Sequence, residues 1–329
     1  MAYNELAYDY NPSYRIGFYG VDEVTKEKIE EFLGETFFTF YDGDGLVNDD
    51  LLDIPDLIIS GENIDIEKLT DILTASRASL IKVASKSKEE LSSSGAFAIN
   101  DDEEFMLMIE TTINTAVFTN ALKIRDMLEG MDLNDKISTL LLLMQKKDPY
   151  TVRHSQNVSQ YAEMMSKELG LSDERTERIK LGGLLHDIGK ICLTDSILFN
   201  TTPKLAEDKM KIMQVHTSLG TILLPDELES LKDMVALHHE RLDGSGYPYG
   251  LSAEDLLDDV RIISVADTYD AMTTERSYQK AMSEDEAMAV LDKLADTSKP
   301  KLDIRMVLAL KGALSKEIHA SLAAEGRCR

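Results

Sequence analysis

The sequence predicts a multidomain protein with an α/β doubly wound domain over residues 1–103, a connecting helix over 104–134 and an all-α domain over 135–329. Three patterns support this division. Short apolar runs alternate with helical patterns at the start of the chain, one long amphipathic pattern follows, and strand patterns are then missing. A chain of 329 residues is long for one domain and sufficient for two.

Five short segments of the first domain are rich in the aromatic, β-branched and apolar residues that strands prefer. Helical patterns separate them, for example over 24–33 and 66–73. Strands that alternate with helices form a parallel sheet covered by helices on both faces. The predicted strands are 15–20, 36–41, 56–60, 79–83 and 95–99.

The connecting helix is predicted from apolar residues that recur at intervals of three and four. Such a stripe either pairs with its copy in a second chain, as a coiled coil that forms a homodimer, or packs against the chain's own second domain. Gly130 predicts a break before the next helix begins near Leu133. The stripe consists of Phe105, Ile109, Ile113, Ala116, Val117, Ala121, Ile124 and Leu128.

Helical patterns fill the chain from Asp135 onward and predict a helical bundle. Gly170 is expected to end one helix and Ser172 to cap the next. The segment 243–250 (DGSGYPYG) has the composition of a loop.

The chain carries 60 acidic and 35 basic residues, a net charge of −25. This balance argues against DNA binding, which depends on basic residues that neutralise phosphates, and is typical of a solvated surface. The start of the chain is polar, and no apolar run approaches roughly 18 residues, so neither a secretory signal nor membrane insertion is expected. Cys192 and Cys328 are the two cysteines, which favours a reducing compartment, and we expect a cytoplasmic protein.

Five of the six histidines lie between residues 154 and 239, interleaved with aspartates. Imidazole and carboxylate together form the ligand set of divalent metals such as iron, manganese and zinc. Seven ligands are too many for one tetrahedral ion but suit two ions that share a carboxylate, as in phosphoester hydrolysis. The alternative, core histidines that only pack, requires a partner for every buried ring nitrogen. The seven residues are His154, His186, Asp187, His216, His238, His239 and Asp267.

Lys190 lies four residues after His186, one helical turn along the same face. A cation at that position can contact a phosphate oxygen or help to protonate a leaving alkoxide. The alternative is an exposed lysine at a helix end.

Four strings of sequence in this region resemble the HD-GYP family of bacterial cyclic di-GMP phosphodiesterases. They are KDPYTVRHS at 147–155, HDIGK at 186–190, HHERLDGSGYP at 238–248 and ADTYDAMTTERSY at 266–278. The resemblance extends over about half of the chain and implies an all-α HD-GYP bundle. It implies hydrolysis of cyclic di-GMP to linear pGpG, with further cleavage to GMP left open.

The resemblance also implies roles for individual residues. One ion would be held by His154, His186, Asp187 and Asp267, and the other by Asp187, His216, His238 and His239. The ions would be iron or manganese, with zinc, nickel and magnesium as alternatives. Asp187 and Lys190 would be catalytic. Tyr247, Asp270 and Arg276 would lie on the substrate side or support the ligands, and a salt bridge at a helix end is the alternative for Arg276.

Two positions depart from the family pattern. Some members place a glutamate ligand for a third ion where this chain has Tyr150, which favours two metals. The closing motif often has proline and a basic residue where this chain has Ser277 and Gln279, which puts substrate preference in doubt. The GYP loop is expected to offer a docking surface for other signalling proteins.

The first domain resembles the receiver domain of response regulators. Aligning its third strand with that of a receiver puts Gly61 at the position of the phosphate-accepting aspartate, and Asp101 and Asp102 where the lysine is expected. The resemblance therefore implies a receiver-like domain that is not phosphorylated and serves dimerisation or docking. Two alternatives to the main function remain: a phosphodiesterase for another cyclic dinucleotide, or a signalling protein that binds the nucleotide without cleaving it.

Overall fold

The computed structural model shows an N-terminal parallel sheet and a larger helical part. In the described part of the chain, no helix has the length and apolarity needed to cross a membrane. The structure describes residues 14–19, 21, 23, 26–27, 38–42, 57–60, 79–82, 117–193, 198, 207–275 and 280–326.

Among the described residues, four parallel strands form the sheet, in the order β2-β1-β3-β4. Each lies within two residues of a predicted strand, so these four strand predictions are confirmed. The segments between them, the predicted fifth strand, Gly61, Asp101 and Asp102 lie outside the described residues, and the receiver-like interpretation therefore stays a prediction. The strands are β1 (Tyr14–Tyr19), β2 (Phe38–Asp42), β3 (Leu57–Ser60) and β4 (Ser79–Lys82).

The described part of the connecting helix runs over 117–128 and is α1. Its apolar stripe is buried in the core of the same chain, through Val117, Ala121, Ile124 and Leu128. The structure thus shows α1 packed against the chain's own helical domain. A homodimer through the earlier part of the helix stays a prediction, since those residues are not described.

Helices predominate in the rest of the described chain, in agreement with the all-α prediction. In these residues, two 3-10 helices, Ile188–Cys192 and Asp226–Leu231, interrupt the series. The α-helices are α2 (Leu133–Lys147), α3 (Pro149–Glu168), α4 (Asp173–Leu185), α5 (Glu207–Gln214), α6 (His216–Leu223), α7 (Lys232–Leu237), α8 (Asp258–Thr273), α9 (Glu284–Ala295) and α10 (Ile304–Gly326).

Short polar residues set the helix starts by accepting hydrogen bonds from unpaired backbone N–H groups. The Asp148 carboxylate accepts from the Tyr150 amide and, with Pro149 in the first turn, begins α3. The Ser172 hydroxyl accepts from the Arg175 amide and begins α4. Gly170 before it has a φ of 70°, a left-handed conformation that favours glycine, so both predictions about this turn are confirmed.

The core of the helical part is apolar and lies between α3, α4 and α8. Val158 and Ala162 on α3, Ile179 on α4 and Ile263 on α8 are all 0% exposed. Burial of this apolar face provides most of the free energy that holds the three helices together. The helices therefore form a fixed frame for the polar side chains that they carry.

Candidate metal centre

The seven predicted ligand residues come together at one place, where five helices meet. His154 lies near the start of α3, and Asp267 lies inside α8. The other five are at helix ends: His186 and Asp187 after α4, His216 at the start of α6, and His238 and His239 after α7.

The ligand atoms form two groups that share Asp187. In each group the candidate atoms lie within 4.8 Å of one another. Asp187 Oδ2 is 3.4 Å from His186 Nε2 and 3.8 Å from His154 Nε2. Asp187 Oδ1 is 3.3 Å from His216 Nε2 and 3.9 Å from His238 Nε2. Because each oxygen faces a different group of imidazoles, this carboxylate has the geometry of a bridge between two ions.

Asp267 faces the same centre from α8. Its Oδ1 lies 3.1 Å from His154 Nε2 and 3.8 Å from His186 Nε2. Its Oδ2 lies 3.8 Å from His239 Nδ1. Asp267 thus adds a second carboxylate to the group that contains His154 and His186.

The backbone orients three of the imidazole rings. In His186, His216 and His238, Nδ1 lies 2.8, 2.6 and 2.9 Å from the carbonyl oxygen of the residue three positions earlier. A carbonyl oxygen only accepts, so Nδ1 carries the proton and donates it. Nε2 is then left with a free lone pair toward the centre, which is the tautomer that binds a metal through Nε2.

The local electrostatics separate His154 from His216, His238 and His239. Burial lowers the pKa of His216 to about 4 and that of His239 to about 3, and it holds the pKa of His238 well below its usual value. Burial acts in the same direction on His154, but its hydrogen bonds to Asp267 and Asp270 outweigh it and raise the pKa to about 9. Neutral imidazole is the form that binds metals. At neutral pH the rings of His216, His238 and His239 are in this form.

Two buried polar atoms of the centre lack a hydrogen-bond partner, and a cation could take that place. His186 Nε2 and Asp187 Oδ1 are buried and have no hydrogen-bond partner within the described part of the chain. Although burial alone would raise the pKa of Asp187, the charges of Lys190 and His186 hold it well below its usual range. A buried, ionised carboxylate oxygen without a hydrogen-bond partner costs free energy unless a positive charge is added. The residues present therefore fit divalent metal ions.

Lys190 reaches this centre by a local geometry that differs from the predicted one. Helix α4 ends at Leu185, and Lys190 lies in a 3-10 helix rather than one α-helical turn after His186. Its Nζ donates to Asp187 Oδ2 at 2.6 Å, and its side chain is 22% exposed. Lys190 thus lies at the opening of the centre, where it can meet both the bridging carboxylate and a ligand from solvent.

Tyr247 lies beside His239, with ring centroids 4.6 Å apart and an angle of 31° between the planes. Burial and the carboxylates of Asp267 and Asp187 raise the pKa of Tyr247, so its hydroxyl stays protonated and can donate. Arg276 lies outside the described residues.

Asp270 is buried on α8 beside the His154 ring. It is 0% exposed, and its Oδ2 is 2.6 Å from His154 Nδ1, on the far side of that ring from the metal ligands. This placement favours the alternative, support of a ligand, while substrate binding by Asp270 stays a prediction. The sequence could not separate the two because a residue one turn after Asp267 can point either way.

Glu240 has a supporting role that no motif of the sequence indicated, although it directly follows the adjacent histidines. Glu240 is 2% exposed, and its carboxylate accepts three backbone N–H groups of the GYP loop. These come from Tyr249 at 2.7 Å, Gly250 at 3.1 Å and Leu251 at 3.0 Å. Glu240 thereby fixes the loop that carries Tyr247.

We expect Glu240→Ala to release the GYP loop, because three backbone donors lose a charged acceptor. Amide hydrogen exchange at Tyr249, Gly250 and Leu251 should become faster by at least about tenfold, which corresponds to roughly 1.4 kcal/mol. Asp255→Asn is the matched control, since Asp255 accepts from Ser252 in the same loop but is exposed. Equal exchange rates in both variants would contradict this role of Glu240.

Residues 139–302 match the HD domain family, and this part of the chain belongs to that family. The matched range contains all seven ligand residues and Lys190, so the resemblance of the four sequence strings to an HD-type family is confirmed.

Several curated relatives are cyclic-dinucleotide phosphodiesterases by name. The chain is 34% identical over 175 residues to 3′3′-cGAMP-specific phosphodiesterase 3 of Vibrio cholerae, which covers 53% of this chain and 37% of that protein. It is 37% identical over 161 residues to the cyclic di-GMP phosphodiesterase response regulator RpfG of Xanthomonas campestris, which covers 48% and 42%. The chain thus spans less than half the length of these relatives.

Among solved structures, a cyclic GMP-AMP-specific phosphodiesterase of V. cholerae is 25% identical, with a TM-score of 0.36 over 69% of this chain and 55% of that one. A HDG"Y"P protein from Bdellovibrio bacteriovorus is 16% identical, with a TM-score of 0.44 over 69% and 75%.

Proposed function

We propose that this protein hydrolyses a phosphodiester bond of a cyclic dinucleotide with the aid of two divalent metal ions. Iron and manganese are the first candidates for these ions. The observation that carries this proposal is Asp187, whose two oxygens face two separate groups of imidazoles. Relatives named as phosphodiesterases for cyclic di-GMP and for 3′3′-cGAMP support the substrate class. We take cyclic di-GMP as the substrate and linear pGpG as the product.

The chain's own groups have distinct tasks in this reaction. Ions held by the two groups of ligands would activate water and withdraw charge from the phosphate. Asp187 and Asp267 supply the negative charge of the centre, and Lys190 places a positive charge at its opening. Lys190 can stabilise charge on a phosphate oxygen or protonate the leaving alkoxide. Tyr247, with its hydroxyl protonated, can donate a hydrogen bond to the phosphate.

Two other functions remain as alternatives. The similarity to a 3′3′-cGAMP-specific enzyme favours a mixed cyclic dinucleotide as a second candidate substrate. The other alternative is a protein that binds a cyclic dinucleotide without cleaving it. Lys190 and all seven ligand residues are present, and this argues for catalysis.

The test is turnover of cyclic di-GMP, 3′3′-cGAMP and cyclic di-AMP, followed by chromatography, on full-length protein purified without chelator. Bound metals are quantified in the same samples. We expect pGpG or GMP from cyclic di-GMP, two metals per chain, loss of turnover after chelation and recovery with Mn²⁺. Product from 3′3′-cGAMP alone would favour the second candidate. Two bound metals without any product would favour nucleotide binding without cleavage.

We expect Lys190→Ala to lower kcat by about a hundredfold, the usual contribution of a positioned acid or cation. Metal content should stay at the wild-type level, because Lys190 contacts Asp187 but is not a ligand. Lys190→Arg keeps the charge but cannot release a proton at neutral pH, so it distinguishes electrostatic stabilisation from proton transfer. Unchanged kcat in Lys190→Ala would exclude a catalytic role.

For the first domain we propose a docking or dimerisation role without phosphorylation. Its strand order β2-β1-β3-β4 is the order found in flavodoxin-like sheets, the sheet type of receivers. Gly61 offers no group that could accept a phosphoryl group. The protein should remain unlabelled after incubation with a small-molecule phosphodonor.

A further inference from the structure

The Nδ1 atoms of the ligand histidines have two different kinds of partner. His186, His216 and His238 donate to neutral backbone carbonyls. His154 instead has its Nδ1 2.6 Å from Asp270 Oδ2, a carboxylate oxygen. Among the described contacts, this is the one carboxylate that pairs at hydrogen-bond distance with a ligand imidazole through Nδ1.

The protein holds Asp270 in place for this contact. Its Oδ1 accepts from Asn157 Nδ2 at 2.8 Å and from Thr274 Oγ1 at 2.9 Å. Asn157 lies three residues after His154 on α3, and Thr274 lies four residues after Asp270, so both spacings place the pairs on one helix face. With Oδ1 occupied by two donors, Oδ2 is directed at His154.

A carboxylate behind a ligand imidazole changes the ligand itself. It fixes the ring orientation and makes the ring a more basic, more electron-rich donor to the metal than a carbonyl partner does. His154 belongs to the group with His186 and Asp187, and Asp267 adds a second carboxylate there. His216 and His238, in the other group, have carbonyl partners.

We infer that Asn157, Asp270 and Thr274 make the two metal positions unequal, so that the ion held with His154 binds more tightly than the ion held with His216 and His238. The three act as positioning residues, since they reach the metal through His154. Asp187 contributes an oxygen to both positions and does not distinguish them. This inference rests on the proposed function, because it requires two ions.

The test is a Mn²⁺ titration of metal-free full-length protein, with free Mn²⁺ followed by electron paramagnetic resonance. Wild type should show two dissociation constants. Asp270→Asn and Asn157→Ala should weaken the tighter one by about 10- to 100-fold and leave the weaker one unchanged. Thr274→Val should shift the same constant in the same direction but less.

The matched control is Thr273→Val, the same substitution one residue earlier. The Thr273 hydroxyl donates to the Tyr269 carbonyl at 3.0 Å and takes no part in the network. Its Mn²⁺ constants should equal those of wild type. If Asp270→Asn does not fold, as judged by circular dichroism, Asn157→Ala and Thr274→Val provide the test.

Two outcomes would overturn this inference while leaving the proposed function intact. One is a wild type with two equal Mn²⁺ constants, and the other is a pair of constants that fall together in the variants. A wild type that binds no Mn²⁺ would instead overturn the proposed function. Because the readout is metal binding, neither conclusion depends on choosing the correct nucleotide.

Discussion

Asp187→Ala is expected to abolish turnover and to reduce bound metal from two ions to at most one. Asp187 is the residue common to both groups of ligands, so its loss weakens both positions at once. The rate should fall by at least about 10³-fold, since activation by divalent ions supplies several kcal/mol of transition-state stabilisation. Turnover and metal content measured on the same sample will check both parts.

Two further variants make this result specific to the bridge. Asp187→Asn keeps the shape of the side chain but removes the negative charge, and it should behave like Asp187→Ala. Asp233→Ala removes an exposed carboxylate from α7, the helix before His238, and should leave turnover and metal content at the wild-type level. Two metals retained in Asp187→Ala would contradict the bridging role.

Gly189→Ala should destabilise the helical part by more than about 4 kcal/mol, in the range of severe packing defects. A methyl group there would overlap with the His216 carbonyl oxygen and lie 2.5 Å from the Gly220 nitrogen, both backbone atoms of α6. The helix would have to move away, and it carries the ligand His216. Chemical denaturation and metal content should therefore both report the change.

Gly170→Ala is the matched control for this prediction. Gly170 has a φ of 70°, but nothing lies within 4 Å of an added Cβ, so its cost is backbone strain of about 1–2 kcal/mol. Metal content should remain that of wild type. A Gly189→Ala variant that is as stable as Gly170→Ala would contradict the close approach of the 3-10 helix to α6.

The sequence was sufficient to predict this cluster of candidate ligands because histidine is rare in the chain, and five of its six histidines lie between residues 154 and 239, interleaved with aspartates. Their chemistry is specific, and the pairs His186-Asp187 and His238-His239 are difficult to explain by packing. The helix start at Ser172 could be predicted for a similar reason, since a cap depends on neighbouring residues.

Supporting contacts could not be derived in the same way because they depend on how helices and loops pack. Asp270 contacts His154, which lies 116 positions earlier in the chain, and Asn157, which lies 113 positions earlier. Glu240 bonds to amides nine to eleven residues later, in a loop whose path depends on Gly246 packing against the Glu240 backbone. No local pattern fixes the contacts of Asp270, since they follow from how α3 and α8 pack.

The distribution of the ligands over five helices links the metal supply to the folding equilibrium. These side chains converge only in the native chain, so an ion that binds there has little affinity for the unfolded chain. Each ion then stabilises the fold by RT ln(1 + [M]/Kd), about 2.7 kcal/mol when free metal is a hundred times Kd. The thermal midpoint of this protein should accordingly rise with the logarithm of free metal concentration, which makes heat resistance a thermodynamic measure of metal occupancy.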